Sequence, residues 1–286
     1  MSETLDDLIG QSLQRPVGPQ IQELAREVLR LIPEAAAILV YGSSLRGVSA
    51  GDTLIDFYVL VRRDRDGGGR LLARCGQAIL PPNVYYLEVA HDGKTLRAKY
   101  AVVSLGAFTR AMGPRVRNPY FWARFAQPCA LAYAAGADER AQVIAALSLA
   151  HRTLYGHAKA LPGPAASRWQ RVFRETYRTE LRAEGPERAA ALIGAHASYY
   201  ARAEALLADA PALPARWWLR RIQGKLLSVL RLVKAAFTFA GGADYLAWKI
   251  ERHSGEKLAL SDWQRRHPIL AGISLLPRLI RRGAVK

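Results

Sequence analysis

The chain has 286 residues, enough to bury a sizeable core and form two domains, and it carries 41 Lys and Arg against 24 Asp and Glu, a net charge of +17. That excess calls for an anionic partner. Two cysteines, Cys75 and Cys129, leave no disulfide framework and suit a reducing cytosol; there is no run of about 20 apolar residues to span a bilayer, and the polar start MSETLDDLIG gives the expectation of no signal peptide.

In chain order, residues 18–33 are predicted as a helix leading into a first strand, where Ile38, Leu39, Val40 and Tyr41 form an apolar run ending at Gly42. Residues 55–61, IDFYVLV, are a second β-branched and aromatic run. Gly42 permits a tight turn, and Ser43 offers a hydroxyl and an N–H to phosphate oxygens. No Gly-Lys-Ser/Thr follows, which excludes a Walker loop. Asp56 interrupts the second strand, where a charge needs a partner or a metal ion. General nucleotidyltransferases place a second acid two residues later on the same face; here that position is Tyr58.

Gly67–Gly69 reads as a solvent loop, and residues 84–104 as two strands around a turn at His91-Asp92-Gly93-Lys94. A mixed sheet over residues 34–110 follows. Glu88, set between Leu87 and Val89, and Asp52, four residues before Asp56, are candidates for a further metal ligand; a solvated acid is the alternative at each. Residues 118–129 open a region, extending to about 210, that is predicted as mostly helical, with connections at Pro162–Pro164 and Pro211–Pro214. His151, His157 and His196 lack metal-ligand spacing and read as structural or surface histidines, and Tyr199 and Tyr200 as core. From Arg216 to Lys286 there are 15 Lys/Arg, 4 Asp/Glu and four of the six tryptophans, a composition suited to the headgroup level of an anionic bilayer. At the end of the chain Ile269, Leu270, Ile273, Leu276 and Ile280 recur at helical spacing beside Arg278, Arg281 and Arg282. Nucleic acid would neutralise the same charge, and a packed helix with a solvated basic side is the plainer reading.

The segments YGSS (41–44), IDF (55–57), VYY (84–86), KYAVVS (99–104) and Trp-x-Arg-x-x-Gln-Pro (122–128) have an order and spacing that resemble the mitochondrial-type phosphatidate cytidylyltransferases. That family shows YGSG, IDF or LDF, VYY or VYF, KYGV(V/I)S and GRLQKP. Weaker resemblance runs through 177–200 and 234–242. Ser44, Ala101 and Cys129 depart from the pattern, and no Lys stands between Gln127 and Pro128.

The resemblance implies an α+β fold: a nucleotidyltransferase-type mixed sheet with helices (1–110), a helical, winged-helix-like domain (111–213), and a basic amphipathic C-terminal region in membrane contact (214–286). It implies transfer of cytidylate from CTP to phosphatidate with Mg²⁺, on the inner face of the cell membrane. By position, Tyr41, Gly42, Ser43 and Ser44 match the phosphate-binding turn and Asp56 the metal-binding acid. Lys99, Arg124 and Gln127 match residues that meet phosphate charge. Nucleic acid is then not expected as a partner. The alternatives are another lipid phosphate as acceptor, or a nucleotidyltransferase-fold protein that modifies or binds protein or RNA, as in toxin–antitoxin pairs.

Overall fold

The computed structural model describes residues 3–42, 45, 54–67, 80–180, 187–238, 243, 247 and 260–266. Helix α1 (Leu5–Leu13) starts at Thr4, whose hydroxyl accepts from the Asp7 N–H (3.2 Å) while the Asp7 carboxylate accepts from the Thr4 N–H (2.9 Å). This reciprocal cap satisfies two of the donors that a helix start leaves open. Helix α2 (Pro19–Leu31) has Pro at its first position, where no N–H is needed, and Ile21, Leu24, Ala25 and Val28 buried on one stripe.

Five strands follow: β1 (Ala35–Val40), β2 (Leu54–Val61), β3 (Asn83–His91), β4 (Lys94–Ser104) and β5 (Ala130–Ala134). They form one mixed sheet in the order β3-β4-β2-β1-β5, with β2 and β4 parallel and the other neighbours antiparallel. Every residue of β1 is buried, as a strand covered on both faces must be. The two-residue side-chain period divides the sheet. Ile38, Val40, Phe57, Val59, Ala98 and Val102 face α2, whereas Leu39, Tyr58, Leu60, Ala101 and Val103 face the other helices. Each fully buried Leu, Ile or Val contributes ~1.5–3 kcal/mol against leaving it in water.

The remaining helices are α3 (Leu105–Ala111), α4 (Trp122–Phe125), α5 (Ala137–Lys159), α6 (Arg168–Tyr177), α7 (Glu187–Ala195), α8 (Ala197–Leu206), α9 (Trp217–Thr238) and α10 (Asp262–Arg266). A single hydrophobic cluster runs from α1 and the sheet through Trp122 and Phe125 to Trp169, Phe173 and Tyr200. Gly224 seats α9 on the body: a Cβ there would stand 2.3 Å from the Thr179 carbonyl oxygen, so only glycine permits the approach.

The chain is therefore α+β with a five-stranded mixed sheet and many helices. Residues 111–210 are mostly helical, as read, but they also hold strand β5, which that reading did not include. Alanine favours helix locally, but Pro128 follows closely on α4 and residues 130–134 pair with β1. Ser43, Ser44, Asp52, Cys75, the glycines at 68–69 and residues 267–286 lie outside the described residues.

Candidate active site

Asp56 and Lys99 are brought side by side by the parallel pairing of β2 and β4, in which they are direct partners. The Lys99 ammonium stands 4.0 Å from the Asp56 carboxylate, and the two side chains are 36% and 30% exposed. At that distance and exposure the pair is too loose to stabilise the fold by more than ~1 kcal/mol, and an entering ligand can reach both groups. The first strand ends beside them: the Tyr41 N–H donates to the Asp56 carbonyl (3.4 Å), and Gly42 then turns the chain with φ +80°. A side chain is strained in that conformation, although the space around a Cβ is open.

Tyr58 fills the place where a second acid would sit. It is 1% exposed, its ring packs edge-on against Tyr41 and Phe125 at 5.3 and 4.8 Å, and its hydroxyl donates to that of Tyr120 (3.2 Å). A carboxylate there would be buried among rings; burial instead pushes the Tyr58 phenol well up and keeps it neutral.

Arg124 lies behind this layer. Its guanidinium donates to the Tyr120 carbonyl (2.9 Å), stands 4.2 Å from the Tyr120 ring centroid and pairs with Glu180 at 3.5 Å. From α9, Arg231 stands 3.9 Å from the same ring, so Tyr120 meets two guanidinium groups. Burial alone raises the Tyr120 phenol, but Arg124, Arg231 and the Tyr58 hydrogen bond outweigh it and lower the phenol. Lys234, one helical turn further on, donates to the carbonyl of Pro82 (2.6 Å) and the side chain of Asn83 (3.1 Å).

Gln127 and Gly42 meet at a small cleft of about 90 Å³ that Tyr177, Arg188 and His196 also line. A larger cleft, about 630 Å³, is lined by Ile21 and Leu96 from the α2 face of the sheet. It lies across the sheet from Asp56 and Lys99.

Glu88 is not brought to Asp56. The two acids share a sheet face, but β4 lies between their strands and Glu88 pairs two residues further along, which separates their backbones by about 12 Å. Glu88 instead accepts from the Tyr86 hydroxyl (2.7 Å) and Arg97 Nε (2.9 Å). Among the described residues no group of three or more Asp, Glu, His or Cys is placed to hold a metal ion. The donor set fits Mg²⁺ as that ion is commonly bound, by one or two carboxylates together with substrate phosphates and water, with Asp56 the carboxylate.

His151 and His157 are interior hydrogen-bonding groups. Each can donate from Nδ1 to a carbonyl, Leu147 at 2.8 Å and Leu213 at 2.6 Å, while Nε2 accepts from Tyr199 and Arg220 respectively. Burial pushes both rings down to about 4. The Cys129 thiol is pushed up to about 12 by burial and packs as a small hydrophobe.

Sequence reasoning passed over Tyr120, Glu180, Arg188 and Arg231. For Arg231 a signal existed: Gly224 in a helix of long side chains marks a close approach, and Arg220 and Arg231 share its face at i−4 and i+7. Comparison with protein-family models and with curated proteins gives no match to this chain.

Proposed function

We propose that this chain is a phosphatidate cytidylyltransferase, with a nucleotidyltransferase-type sheet domain that joins CTP to phosphatidate and releases pyrophosphate. One observation carries the reading: Asp56 and Lys99, half-open to solvent, stand side by side where β1 runs out into the Gly42 turn. The motif resemblance supports the choice of lipid and nucleotide. The acceptor is already a phosphate anion, so no strong general base is required. Its oxygen forms a bond to the α-phosphorus of CTP as the bond from that phosphorus to the β-phosphate bridging oxygen breaks, and the electron pair leaves with pyrophosphate.

The barrier is largely electrostatic, since two anions must meet and a third must depart. Lys99 meets phosphate oxygens and, as the motif resemblance implies, Gly42, Ser43 and Ser44 bind the triphosphate. Gln127 and Arg188 border the cleft that adjoins this turn. Asp56 would hold Mg²⁺, which when bound neutralises charge on the triphosphate. Arg124 and Arg231 act from behind, adding positive potential and fixing Tyr120 and Tyr58 under the site. The enzyme works peripherally on the cytoplasmic face of the cell membrane.

The test is incubation with each α-labelled nucleoside triphosphate, Mg²⁺ and phosphatidate vesicles. Lipid-linked cytidylate is the expected product. Label on another lipid phosphate moves the acceptor, and label on protein or RNA overturns the reading.

A further inference from the structure

The two faces of α9 differ sharply. The inner face is fixed to the body by Arg220, which donates to the Val116 carbonyl (3.1 Å) and reaches His157 at 3.2 Å, by the close seat of Gly224, and by Arg231 over Tyr120. The outer face presents Trp218, Ile222, Leu226, Val229 and Val233 at helical spacing, exposed by 59, 61, 58, 44 and 52%. The stripe is about 22 Å long at 1.5 Å per residue. A helix held by one face ordinarily turns polar residues outward, and this one does not.

Charge indicates the occupant. No acid occurs between Asp209 and Asp244, while Arg216 and Lys225 stand exposed on the same helix and at its start. A second copy would set one net charge of +17 against another, and the chain's own residues 268–286, with four Lys/Arg and no acid, are cationic too. An anionic bilayer supplies both complements, acyl chains for the stripe and negative headgroups for the cations, with Trp218 at the headgroup level. No helix among the described residues is long and apolar enough to cross a membrane, so α9 would lie in the interface plane.

We propose that the outer face of α9 is a docking surface for an anionic lipid bilayer. The inference rests on the proposed function and narrows the membrane contact expected across residues 214–286 to one face of one helix. Its test is read without turnover, so the docking and the reaction fail separately.

Full-length protein is sedimented with phosphatidylcholine vesicles and with vesicles also containing phosphatidylglycerol. Binding is expected only to the anionic vesicles. The double variant Ile222→Glu/Leu226→Glu, at positions already exposed, is expected to bind at least about tenfold more weakly, with an unchanged melting temperature. Deletion of residues 268–286 is expected to retain most of the binding. Wild-type affinity in the double variant overturns the proposal, as does equal binding to neutral vesicles. It is overturned too if lipid-free wild type is a dimer that the double variant breaks, which would make the face a contact between copies. A double variant that melts several degrees lower without lipid would show that the chain itself covers the stripe, with the same consequence.

Discussion

Two cation–anion pairs of this region, Asp56–Lys99 and Arg124–Glu180, are built oppositely. Asp56 and Lys99 stand 4.0 Å apart and half-open, whereas Arg124 and Glu180, at 3.5 Å, have side chains only 10% and 15% exposed. The first pair contributes little to folding and keeps both side chains partly exposed. The second is buried, so losing either member takes a partner from a buried charge. Adjacent pairs in one core thus divide between chemistry and architecture, and exposure rather than distance separates them.

That division can be broken by substitution. Asp56→Asn is expected to lower kcat for cytidylyl transfer by about 10³-fold or more, equivalent to roughly 4 kcal/mol of transition-state stabilisation. Its urea midpoint should stay within error of wild type. A large stability loss would make Asp56 structural, and retained turnover would remove it from the reaction. Arg124→Ala is expected to show the reverse order, losing about 3–5 kcal/mol of folding stability because it removes a buried guanidinium that donates to the Tyr120 carbonyl and pairs with Glu180. An urea midpoint unchanged in Arg124→Ala would erase the contrast.

The helical half has its own pH signature. His151 and His157 are held near 4 when folded, against an ordinary value of 6.5, so the unfolded chain binds more protons between those limits. Stability is therefore full above pH 6.5 and falls as pH drops towards 4, by roughly 2–3 kcal/mol per ring. Urea melts across that range measure the slope, and His157→Gln should reduce it by about half. A flat profile would mean that the rings are charged in the folded protein. The smallest expected effect is at Gly42, where Ala costs about 1–2 kcal/mol through its positive φ alone. If Gly42→Ala leaves affinity for CTP intact, the turn does not shape the nucleotide site.

Much of this site was legible because strands announce themselves. The alternation around Asp56 and Lys99 fixed which residues share a face, and the turn at Asp92-Gly93 set the β3–β4 register. What the alternation cannot reveal is which strands lie side by side; the β2–β4 pairing that unites Asp56 with Lys99 is a long-range choice. The same limit hid Arg231, whose contact with Tyr120 exists only once α9 has docked. Strand β5 was obscured by its alanines, whose local preference is for helix. Glu88 has the apolar–acid–apolar setting of a ligand, but its neighbour Arg97 lies on the partnering strand and pairs with it.

The contacts of Lys234 bear on how this protein stays dispersed. Among the described strands β3 is an outer one, the kind of edge onto which a strand from another molecule can add. Its approach begins with Pro81 and Pro82, which have no N–H to offer, and the carbonyls of Leu80 and Pro82 accept from Lys234. Helix α9 thereby blunts the entry to the edge as well as completing the cluster around Tyr120. A fragment ending before Trp217 would uncover that approach, and its failure mode would be strand-to-strand aggregation.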